Sequence, residues 1–443
     1  MKRWSKALLP VLALGLAVAG CGGSGNGNGG ADAGGAANEA ADAGGAAEPA
    51  KKVELTLWSF EARDPHKTIN QKAIEKFNAE HPNIKLKAEF FDDESFKQKI
   101  KVAMAGNRMP DLFTYWSGDQ LRTLVDGGVA GDLTEQLSAD AAFKDSILPG
   151  GLESFSYDGK NYAVPLAMNA VMIYYNKEIF EKNGLQPPAT WSDLETAVQK
   201  LNEAKVIPIA VAGKDRWPVL HWFSYLAQRI GGDEPFQAAA AGTSDFTDPS
   251  FIEAGQKLSK LAAADKGFVN GFLGLDYGAA EALFTQGKAA MYMQGDWAVA
   301  GFVKDDAFAA KVGFVPFPTA EGGKSDQTTF QGGFGFGYAM SSKADKAAAY
   351  EAIKFLSSPQ TRSEISEQAG TIQPFKDVQL DQASMKPLAY EVMSFISANA
   401  KGFFPYYDQG LDPKRSEAML NAVVSIASKP DADVKAELEK VKK

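Results

Sequence analysis

The sequence predicts an α/β fold built from two lobes, and three observations support this prediction. The chain has 443 residues, which exceeds what a single core of ordinary size accommodates. A β-α-β-α-β order runs over residues 53–115, and a similar alternation restarts at residue 171. Because strands that alternate with helices form parallel sheets, each half is expected to build a sheet of its own.

The first half carries clear strand and helix signals. Residues 53–58 and 84–90 alternate apolar and polar side chains, as strands do. Asp64 and Pro65 predict an N-cap and a first helical turn. A second helix is expected over residues 96–104 with its end at Gly106, followed by a short strand over residues 111–115.

The second half repeats the alternation. Ser192 and Glu195 have the spacing of a capping box and predict a helix start. The other predicted elements are strands over residues 171–176, 206–212, 289–293 and 332–339, helices over residues 251–263 and 278–287, and a mostly helical remainder from about residue 343. Ligands bind beyond the carboxyl ends of strands in such sheets, so residues that follow strands are the candidate site.

The N-terminus predicts export and a lipid anchor. Lys2, Arg3 and Lys6 precede an apolar stretch over residues 7–18, which is too short to span a bilayer well. Residues 18–21, Val-Ala-Gly-Cys, resemble the bacterial lipobox, in which the cysteine is acylated. We therefore expect a signal peptide over residues 1–20, a lipidated Cys21 and a location at the extracytoplasmic face of the membrane. The alternative is plain secretion with a free thiol.

Residues 21–52 are expected to be a flexible tether, because glycine, alanine, asparagine and aspartate there offer almost nothing to bury. Cys21 is the only cysteine, so no internal disulfide is possible. Residues 1–20 carry three basic side chains and no acid, so their removal changes the formal net charge from −9 to −12. This acidic balance argues against nucleic acid as a partner. The sequence contains no cluster typical of a metal site, and no cofactor is expected.

Aromatic residues follow the predicted strands and have acids beside them. Trp58, Trp116, Trp217 and Trp297 each come at or shortly after a strand, and the neighbouring acids are Glu61, Asp119 and Asp296. An indole covers the apolar face of a sugar ring, while carboxylates bind its hydroxyls. His221 lies in a Trp-rich stretch and could bind a hydroxyl, whereas His66 and His81 are expected at the surface. Core packing is the alternative for any single tryptophan.

A glycosidase is an alternative reading of the acids, since Glu61, Asp119 and Asp296 could include a catalytic pair. Against an enzyme, the sequence has no G-x-S-x-G, H-E-x-x-H or P-loop motif. We therefore expect no catalytic residues.

Several ordered blocks resemble the extracellular solute-binding protein family 1, the maltose-binding-like sugar receptors of ABC importers. The similarity covers about residues 53–430 and lies in residues 110–113 (Pro-Asp-Leu-Phe), 162–165 (Tyr-Ala-Val-Pro), 188–194 (Pro-Ala-Thr-Trp-Ser-Asp-Leu) and 284–298, which contains Gly295-Asp296-Trp297. The resemblance implies a periplasmic-binding-protein-like fold, with two lobes around a hinge and three chain crossings. We place these near residues 165–170, 330–337 and 370–375.

The resemblance divides the chain into an N-lobe of residues 53–166 and 337–371 and a C-lobe of residues 167–336 and 372–443. It also implies binding residues. Trp116 and Asp119 match a sugar-binding pair, and Trp297 matches a stacking tryptophan. Asn169 stands where maltose-type members have a glutamate, which argues against maltodextrin specificity. Gly333 and Tyr407 lie near further expected contacts.

The predicted function is capture of a sugar, an oligosaccharide in the first instance, by a monomeric receptor that delivers it to the permease subunits of an ABC importer. The alternatives are a receptor for another small solute, such as glycerol phosphate or a peptide, and a cell-surface glycosidase or carbohydrate-adhesion module.

Overall fold

Strands and helices alternate through most of the chain. The computed structural model describes residues 51–378 and 380–442. The strands are β1 (Val53–Ser59), β2 (Ile84–Phe90), β3 (Leu112–Trp116), β4 (Ser156–Tyr157), β5 (Lys160–Asn161), β6 (Ala163–Asn176), β7 (Ile207–Ala210), β8 (Ala289–Gly295), β9 (Val312–Val315), β10 (Phe330–Met340) and β11 (Phe403–Phe404). The predicted signal peptide, Cys21 and most of the tether lie outside the described residues.

The helices alternate with these strands along the chain. They are α1 (His66–Glu80), α2 (Asp93–Ala105), α3 (Asp119–Asp126), α4 (Thr134–Ala139), α5 (Ala141–Ser146), α6 (Lys177–Lys182), α7 (Trp191–Glu203), α8 (Trp217–Gly231), α9 (Glu234–Ala241), α10 (Pro249–Ser259), α11 (Tyr277–Thr285), α12 (Val299–Phe302), α13 (Asp306–Ala309), α14 (Lys346–Leu356), α15 (Pro359–Ala369), α16 (Pro387–Asn399), α17 (Pro413–Ala427) and α18 (Val434–Leu438). Short 3-10 turns occupy Glu153–Phe155, Phe272–Gly274 and Asp296–Ala298, and a π-turn, Lys260–Ala264, extends α10.

One continuous mixed sheet joins the two halves, in the order β2-β1-β3-β10-β6-β8-β7. β1 pairs in parallel with β2 and β3, and β7 pairs in parallel with β8. The long strands β6 and β10 run antiparallel to each other between these parallel pairs. The α/β prediction is therefore confirmed. The expectation of a separate parallel sheet in each half is wrong, because β6 and β10 pair with strands of both halves and join them in one mixed sheet.

Two sets of apolar clusters define what we call the N-lobe and the C-lobe. In the N-lobe, β1, β2 and β3 pack against α1, α2 and α14 through buried residues such as Leu57, Phe77 and Ile353. In the C-lobe, β7, β8 and the second half of β6 pack against α8, α10, α16 and α17. Burying one such aliphatic or aromatic side chain stabilises the fold by about 1.5–3 kcal/mol.

β6 and β10 connect the lobes. Residues 163–170 of β6 pair with β10, whereas residues 171–176 pair with β8 and β9. Residues 336–340 of β10 pair with β3 in the N-lobe, and residues 330–331 pair with β11. A third segment lies beside them, because Met168 N donates to Ile372 O. These contacts support the expected crossings, while the exact lobe boundaries stay a prediction.

Gly332 allows β6 and β10 to approach closely at this point. Its φ of +152° suits glycine, and a Cβ built there would lie 2.0 Å from Asn169 O. Any side chain at Gly332 would therefore separate the two connecting strands.

Some elements differ from the sequence predictions. The start of α7 is capped by Thr190 and Asp193 in a capping box, not by Ser192 and Glu195. Helix α8 was not predicted, because almost all of its surface is buried, including its polar residues His221, Ser224 and Gln228. Within residues 51–378 and 380–442, no helix has the length and apolar character needed to cross a membrane.

Candidate functional site

The N-lobe presents Trp116 at the carboxyl end of β3. The indole is half-buried and lies parallel to the ring of Phe60, with centroids 4.6 Å apart and planes 1° apart. Phe96 of α2 contacts it edge-on at 5.7 Å. The Lys97 ammonium lies 5.5 Å from the Trp116 ring centroid. Trp116 is thus held rigidly and keeps part of its surface accessible.

Charged groups at the start of α2 surround Lys97. Its Nζ donates to Glu94 Oε1 at 2.7 Å. Burial opposes the charge on Lys97, but Glu94 and Asp93 outweigh this effect and raise the pKa of Lys97. Burial also raises the pKa of the Asp93 carboxyl to about 6, although Lys97 opposes the change. Asp408 of the C-lobe acts on Lys97 as well, so α2 faces the other lobe.

Asp119 is the first residue of α3 and also faces the C-lobe. Burial raises the pKa of its carboxyl, while Arg415 of α17 opposes the rise. Its backbone carbonyl accepts a hydrogen bond from Thr123 Oγ1, which fixes the first turn of α3. Asp119 is half-buried and lies three residues after Trp116 in the sequence, and its binding role stays a prediction.

The C-lobe presents an aromatic cluster formed by Trp217, His221, Trp297 and Tyr406. Trp217 is the first residue of α8, Pro218 favours the first turn, and His221 follows Trp217 one turn later on the same face. The imidazole of His221 lies 5.4 Å from Trp217, 6.3 Å from Trp297 and 5.8 Å from Tyr406, measured between ring centroids.

Trp297 lies in the turn after β8, and Gly295 makes room for it. A Cβ built on Gly295 would lie 2.1 Å from the indole ring of Trp297. Trp217 contacts Trp297 edge-on at 6.2 Å and stacks on Tyr277 at 5.8 Å. Both tryptophans are half-buried, so neither is hidden in the C-lobe core.

A short chain of contacts links Trp116 to Trp297 across the lobes. Ser117 N, directly after Trp116, donates to Gly335 O at 3.0 Å. A Cβ on Gly335 would lie 3.0 Å from the Tyr406 ring, and the Tyr406 ring lies 6.3 Å from Trp297. These contacts bring the two indoles to the same junction between the lobes, which we call the interlobe gap. It lies between Trp116, Asp93 and Lys97 on the N-lobe and Trp217, Trp297, Tyr406 and Asp408 on the C-lobe.

The lobes touch at the rim of the interlobe gap. Arg63 places its guanidinium 4.0 Å from the Tyr277 ring centroid, and its Nη1 lies 3.3 Å from Glu281 Oε2. On α3, Gln120 Nε2 donates to the backbone carbonyls of Asp408 and Leu411.

Gly118 marks a second closely packed point on the rim. Its φ is +70°, and a Cβ built there would lie 2.6 Å from Gln409 O. With Arg63 and Gln120, this contact brings the two lobes together in the structure.

Asn169 and Asp296 were predicted as ligand contacts, and the structure assigns them another role. Asp296 is fully buried, and its Oδ1 accepts from Asn169 Nδ2 at 3.1 Å and from Ala170 N at 3.0 Å. Burial raises the pKa of the Asp296 carboxyl to about 7, against the hydrogen bonds that favour its charged form. The pair ties the end of β8 to the connecting strand β6, at the hinge.

Tyr407 and Trp58 also differ from the prediction. Tyr407 is 1% exposed and stacks on Phe236 at 3.7 Å, so the C-lobe core holds it away from the interlobe gap. Trp58 donates its Nε1–H to Glu89 Oε1, and the Lys99 ammonium lies 4.2 Å from its ring centroid. Both partners of the Trp58 indole therefore belong to the N-lobe, and neither contact points to the interlobe gap.

The remaining predicted residues lie at the edges of the site. Glu61 Oε2 accepts from Asn70 Nδ2 at 3.1 Å, which orients it towards α1. Gly333 is buried in β10 with a φ of +97° and pairs with Asn169 in β6, so it belongs to the hinge. His66 Nε2 lies 3.3 Å from Thr371 Oγ1, and His81 stacks on Phe77, so both histidines are half-buried, not fully exposed.

Sequence reasoning missed Lys97, Arg63 and Tyr277, and of the two tyrosines in the late loop it chose Tyr407 instead of Tyr406. Tyr406 had a weak signal, since it neighbours the predicted Tyr407. Lys97 and Arg63 had none, because lysine and arginine at a helix start are ordinary surface residues. Their role appears only when the second lobe supplies Asp408, Tyr277 and Glu281.

His221 is buried and bonded through one ring nitrogen. Its Nδ1 lies 2.8 Å from Gln331 Oε1, and in this orientation of the amide Nδ1 is the donor. Burial lowers the pKa of His221 to about 4, which keeps the imidazole neutral at pH 7. Among the described residues, no group of histidine, cysteine, aspartate and glutamate side chains could hold a metal ion.

Comparison with known proteins finds a family model and several relatives, all of them extracellular binding proteins. The model of the family described as bacterial extracellular solute-binding protein matches residues 62–362. An ABC transporter extracellular-binding protein of Pyrococcus horikoshii is 24% identical over 387 residues, which cover 84% of this chain and 83% of that protein. The maltotriose-binding protein of Pyrococcus abyssi is 25% identical, over 70% of this chain and 64% of its own length.

Solved structures agree with this fold. One, described in terms of xylan utilization by the thermophilic bacterium Caldanaerobius polysaccharolyticus, has a TM-score of 0.82 and 32% identity and covers 88% of this chain and 100% of that one. A chitin oligosaccharide binding protein has a TM-score of 0.81 and 26% identity and covers 88% of this chain and 97% of that one. The family model matches most of the chain, the two-lobed fold is shared, and the protein belongs to the bacterial extracellular solute-binding protein family.

Proposed function

We propose that this protein is the sugar receptor of an ABC importer and binds an oligosaccharide in the interlobe gap. The observation that supports the proposal is the contact chain from Ser117 through Gly335 and Tyr406 to Trp297, which brings Trp116 and Trp297 to the same junction between the lobes. Two half-buried indoles facing a common gap offer flat surfaces for sugar rings. Relatives named for maltotriose, multiple sugars and chitin oligosaccharides support this ligand class.

Binding and closure are coupled in this proposal. At the interlobe gap the N-lobe contributes Trp116 and Asp93, with Asp119 of α3 as a further contact, and the C-lobe contributes Trp217 and Trp297. A ligand that contacts both lobes stabilises the form in which they meet, because those contacts exist together only there. The closed form then delivers the sugar to the permease subunits of the importer, as a monomer.

A lipid anchor on Cys21 completes the proposal. The support is the sequence alone, namely the basic start, the short apolar stretch and the lipobox-like residues 18–21. Fractionation of cells that make the full chain should recover the protein with the membrane, and Cys21→Ser should release it into the medium. Equal distribution of the two forms would contradict the anchor.

Titration calorimetry tests the sugar site directly. Xylotriose, chitotriose and maltotriose are titrated into wild-type protein, Trp116→Ala and Trp297→Ala. Loss of one stacking ring should weaken binding by about 1–3 kcal/mol, taking base–aromatic stacking as the analogue. Tyr390→Ala, which truncates a half-buried aromatic on α16, is the matched control and should leave the Kd unchanged.

Two results would overturn the proposal. If all three sugars bind wild type and both tryptophan variants equally, the interlobe gap is not the site. If the protein releases shorter sugars during the titration, it is a glycosidase, and heat without product supports a receptor.

A further inference from the structure

The backbone turns sharply at Arg216, directly before Trp217. Arg216 has a φ of +67° and a ψ of −45°, whereas an ordinary left-handed residue has a ψ of about +47°. Trp217 N donates to Asp215 O at 2.8 Å, so residues 215–217 form a γ-turn of the rare form with positive φ. This conformation is strained for a residue that has a Cβ atom, and glycine would adopt it at less cost. An arginine in this position therefore needs contacts that offset the strain.

Those contacts come from helix α17. Arg216 Nη1 donates to Glu417 Oε1 at 2.6 Å and to Asn421 Oδ1 at 2.8 Å, and Nη2 donates to Glu417 Oε2 at 3.3 Å. The hydrogen bonds from Arg216 lower the pKa of the Glu417 carboxyl, so it is charged at pH 7. A planar guanidinium matches a carboxylate in this paired geometry, which the single ammonium of lysine does not reproduce. Helix α17 thus fixes the direction of the Arg216 side chain.

The residues on both sides of Arg216 contact Tyr277, the first residue of α11. Asp215 Oδ2 accepts from Tyr277 N at 2.6 Å. The Trp217 indole stacks on the Tyr277 ring, with centroids 5.8 Å apart and planes 26° apart. The γ-turn therefore brings Asp215 and Trp217 against the same residue, and it determines from where Trp217 reaches the interlobe gap.

We propose that Arg216 is a positioning residue: its contacts with Glu417 and Asn421 hold the γ-turn, and the turn orients the indole of Trp217 at the interlobe gap. This inference rests on the proposed sugar-receptor function and adds to it a residue that acts through Trp217. When the turn relaxes, the indole adopts further orientations and covers a sugar ring less well. The fold of the C-lobe does not depend on this turn.

Arg216→Gly tests the inference, because glycine removes the side-chain contacts and the strain together. Its melting temperature should be at or above that of Arg216→Ala, which keeps the strained backbone without the contacts. A lower melting temperature for Arg216→Gly would contradict a strained turn. Xylotriose, chitotriose and maltotriose are titrated into both variants. The Kd of each sugar that wild type binds should rise about three- to tenfold, which is part of the cost of losing a whole indole.

Lys205→Gly is the matched control for the change of backbone. Lys205 is exposed, follows α7 and has a φ of +58°, so glycine relieves a positive φ there as well. The Kd should stay at the wild-type value, because Lys205 does not orient Trp217. An equal rise of the Kd in Lys205→Gly and Arg216→Gly would overturn the role of Arg216.

A double-mutant cycle shows whether Arg216 acts through Trp217. Trp217→Ala should itself weaken binding, and the addition of Arg216→Gly should weaken it no further, because the indole to be oriented is gone. A merely structural role would give the same additional loss with and without the indole. That result would overturn the proposal.

A measurement on the free protein needs no sugar. The fluorescence difference between a protein and its Trp217→Phe variant isolates the signal of Trp217. Acrylamide should quench this signal more strongly in Arg216→Gly than in wild type, because the indole is held less firmly on Tyr277. Equal quenching in the two proteins would overturn the inference.

The outcomes separate this inference from the proposed function. If Arg216→Gly or Trp217→Ala binds like wild type while Trp116→Ala and Trp297→Ala bind more weakly, the positioning role is wrong and the receptor function stands. If none of the three trisaccharides binds wild type, the receptor function fails, and the quenching experiment still decides whether Arg216 holds Trp217 in place.

Discussion

Asp296 and Trp297 are neighbours in the sequence, yet they have separate tasks in the structure. The indole of Trp297 faces the interlobe gap, whereas the carboxyl of Asp296 turns back to Asn169 and Ala170 at the hinge. The sequence placed both beyond β8, but it could not show which would turn inwards. That choice depends on Gly295, over which the indole folds.

Asp296 should make stability depend on pH. Burial raises the pKa of its carboxyl from 3.8 to about 7, so the folded protein holds this proton more tightly than the unfolded chain. Its contribution to stability is therefore full below about pH 4 and declines as the pH rises to about 7. The Asn side chain of Asp296→Asn cannot ionise. The free energy of unfolding of this variant should therefore rise relative to that of wild type as the pH increases from about 4 to about 7, by about a few kcal/mol according to the linkage relation.

Chemical denaturation of wild type and Asp296→Asn at several pH values between 4 and 8 measures this difference. Asp126→Asn, at an exposed carboxyl of α3, is the control and should follow the wild-type curve. Parallel curves for wild type and Asp296→Asn would contradict a raised pKa at the hinge.

The two adjacent tyrosines show a limit of sequence reasoning at the same scale. Residues 406 and 407 occupy a loop without a repeating period, so no pattern says which side chain faces which way. The structure places Tyr406 beside Trp297 and Tyr407 against Phe236. Trp116 and Trp297 were easier to predict, because the end of a strand fixes their location.

At the scale of elements, sequence periodicity located β1, β2, β8 and α2 well. It detected only the second half of β6, because the first half contains Pro165 and three alanines, which are poor strand formers, whereas the second half is rich in β-forming residues. Helix α8 was missed because its surface is buried nearly all round.

Helix α7 provides a prediction about its cap. Thr190 Oγ1 accepts from Asp193 N at 3.1 Å, and Asp193 Oδ2 accepts from Thr190 N at 2.9 Å. Thr190→Ala should lower the free energy of unfolding by about 1 kcal/mol, because the first turn loses this partner. Urea denaturation measures the change, and Thr190→Ser should retain most of the stability.

Ser192 serves as the control for that prediction. Its Oγ donates to the exposed Glu321 at 2.9 Å and caps nothing. Ser192→Ala should change stability by less than about 0.5 kcal/mol. A larger loss of stability in Ser192→Ala than in Thr190→Ala would contradict the Thr190 cap and support the Ser192 cap that the sequence predicted.

At the scale of the whole molecule, the fold class and the two lobes followed from the sequence, while their mutual contacts did not. Arg63 is separated by more than 200 positions from Tyr277 and Glu281, and no local pattern announces such a pair. Its guanidinium contacts Tyr277 and Glu281, which both belong to the other lobe. We therefore infer that Arg63 stabilises the closed form.

Arg63→Ala should therefore favour an open form. A cation–π contact and an exposed ion pair are each worth up to about 1 kcal/mol, so sugar binding should weaken about two- to tenfold. Small-angle scattering should give a larger radius of gyration for the variant without sugar. Arg122→Ala, which removes ion pairs to Asp126 and Asp158 within the N-lobe, should change neither quantity.

Unchanged scattering together with unchanged affinity for Arg63→Ala would mean that this contact does not influence closure. Unchanged scattering with weaker affinity would instead place Arg63 among the groups that touch the sugar.

The close approach of Gly118 to Gln409 has a practical consequence. Cys21 is the chain's only cysteine, so in a Cys21→Ser variant a thiol introduced at Gln409 would be the single site for a fluorescent dye. Movement of the rim against Gly118 would change how much water surrounds that dye. Because Gly118 and Gln409 are in close contact, the fluorescence of the dye would report sugar binding, and the labelled receptor would serve as an optical sensor for its sugar.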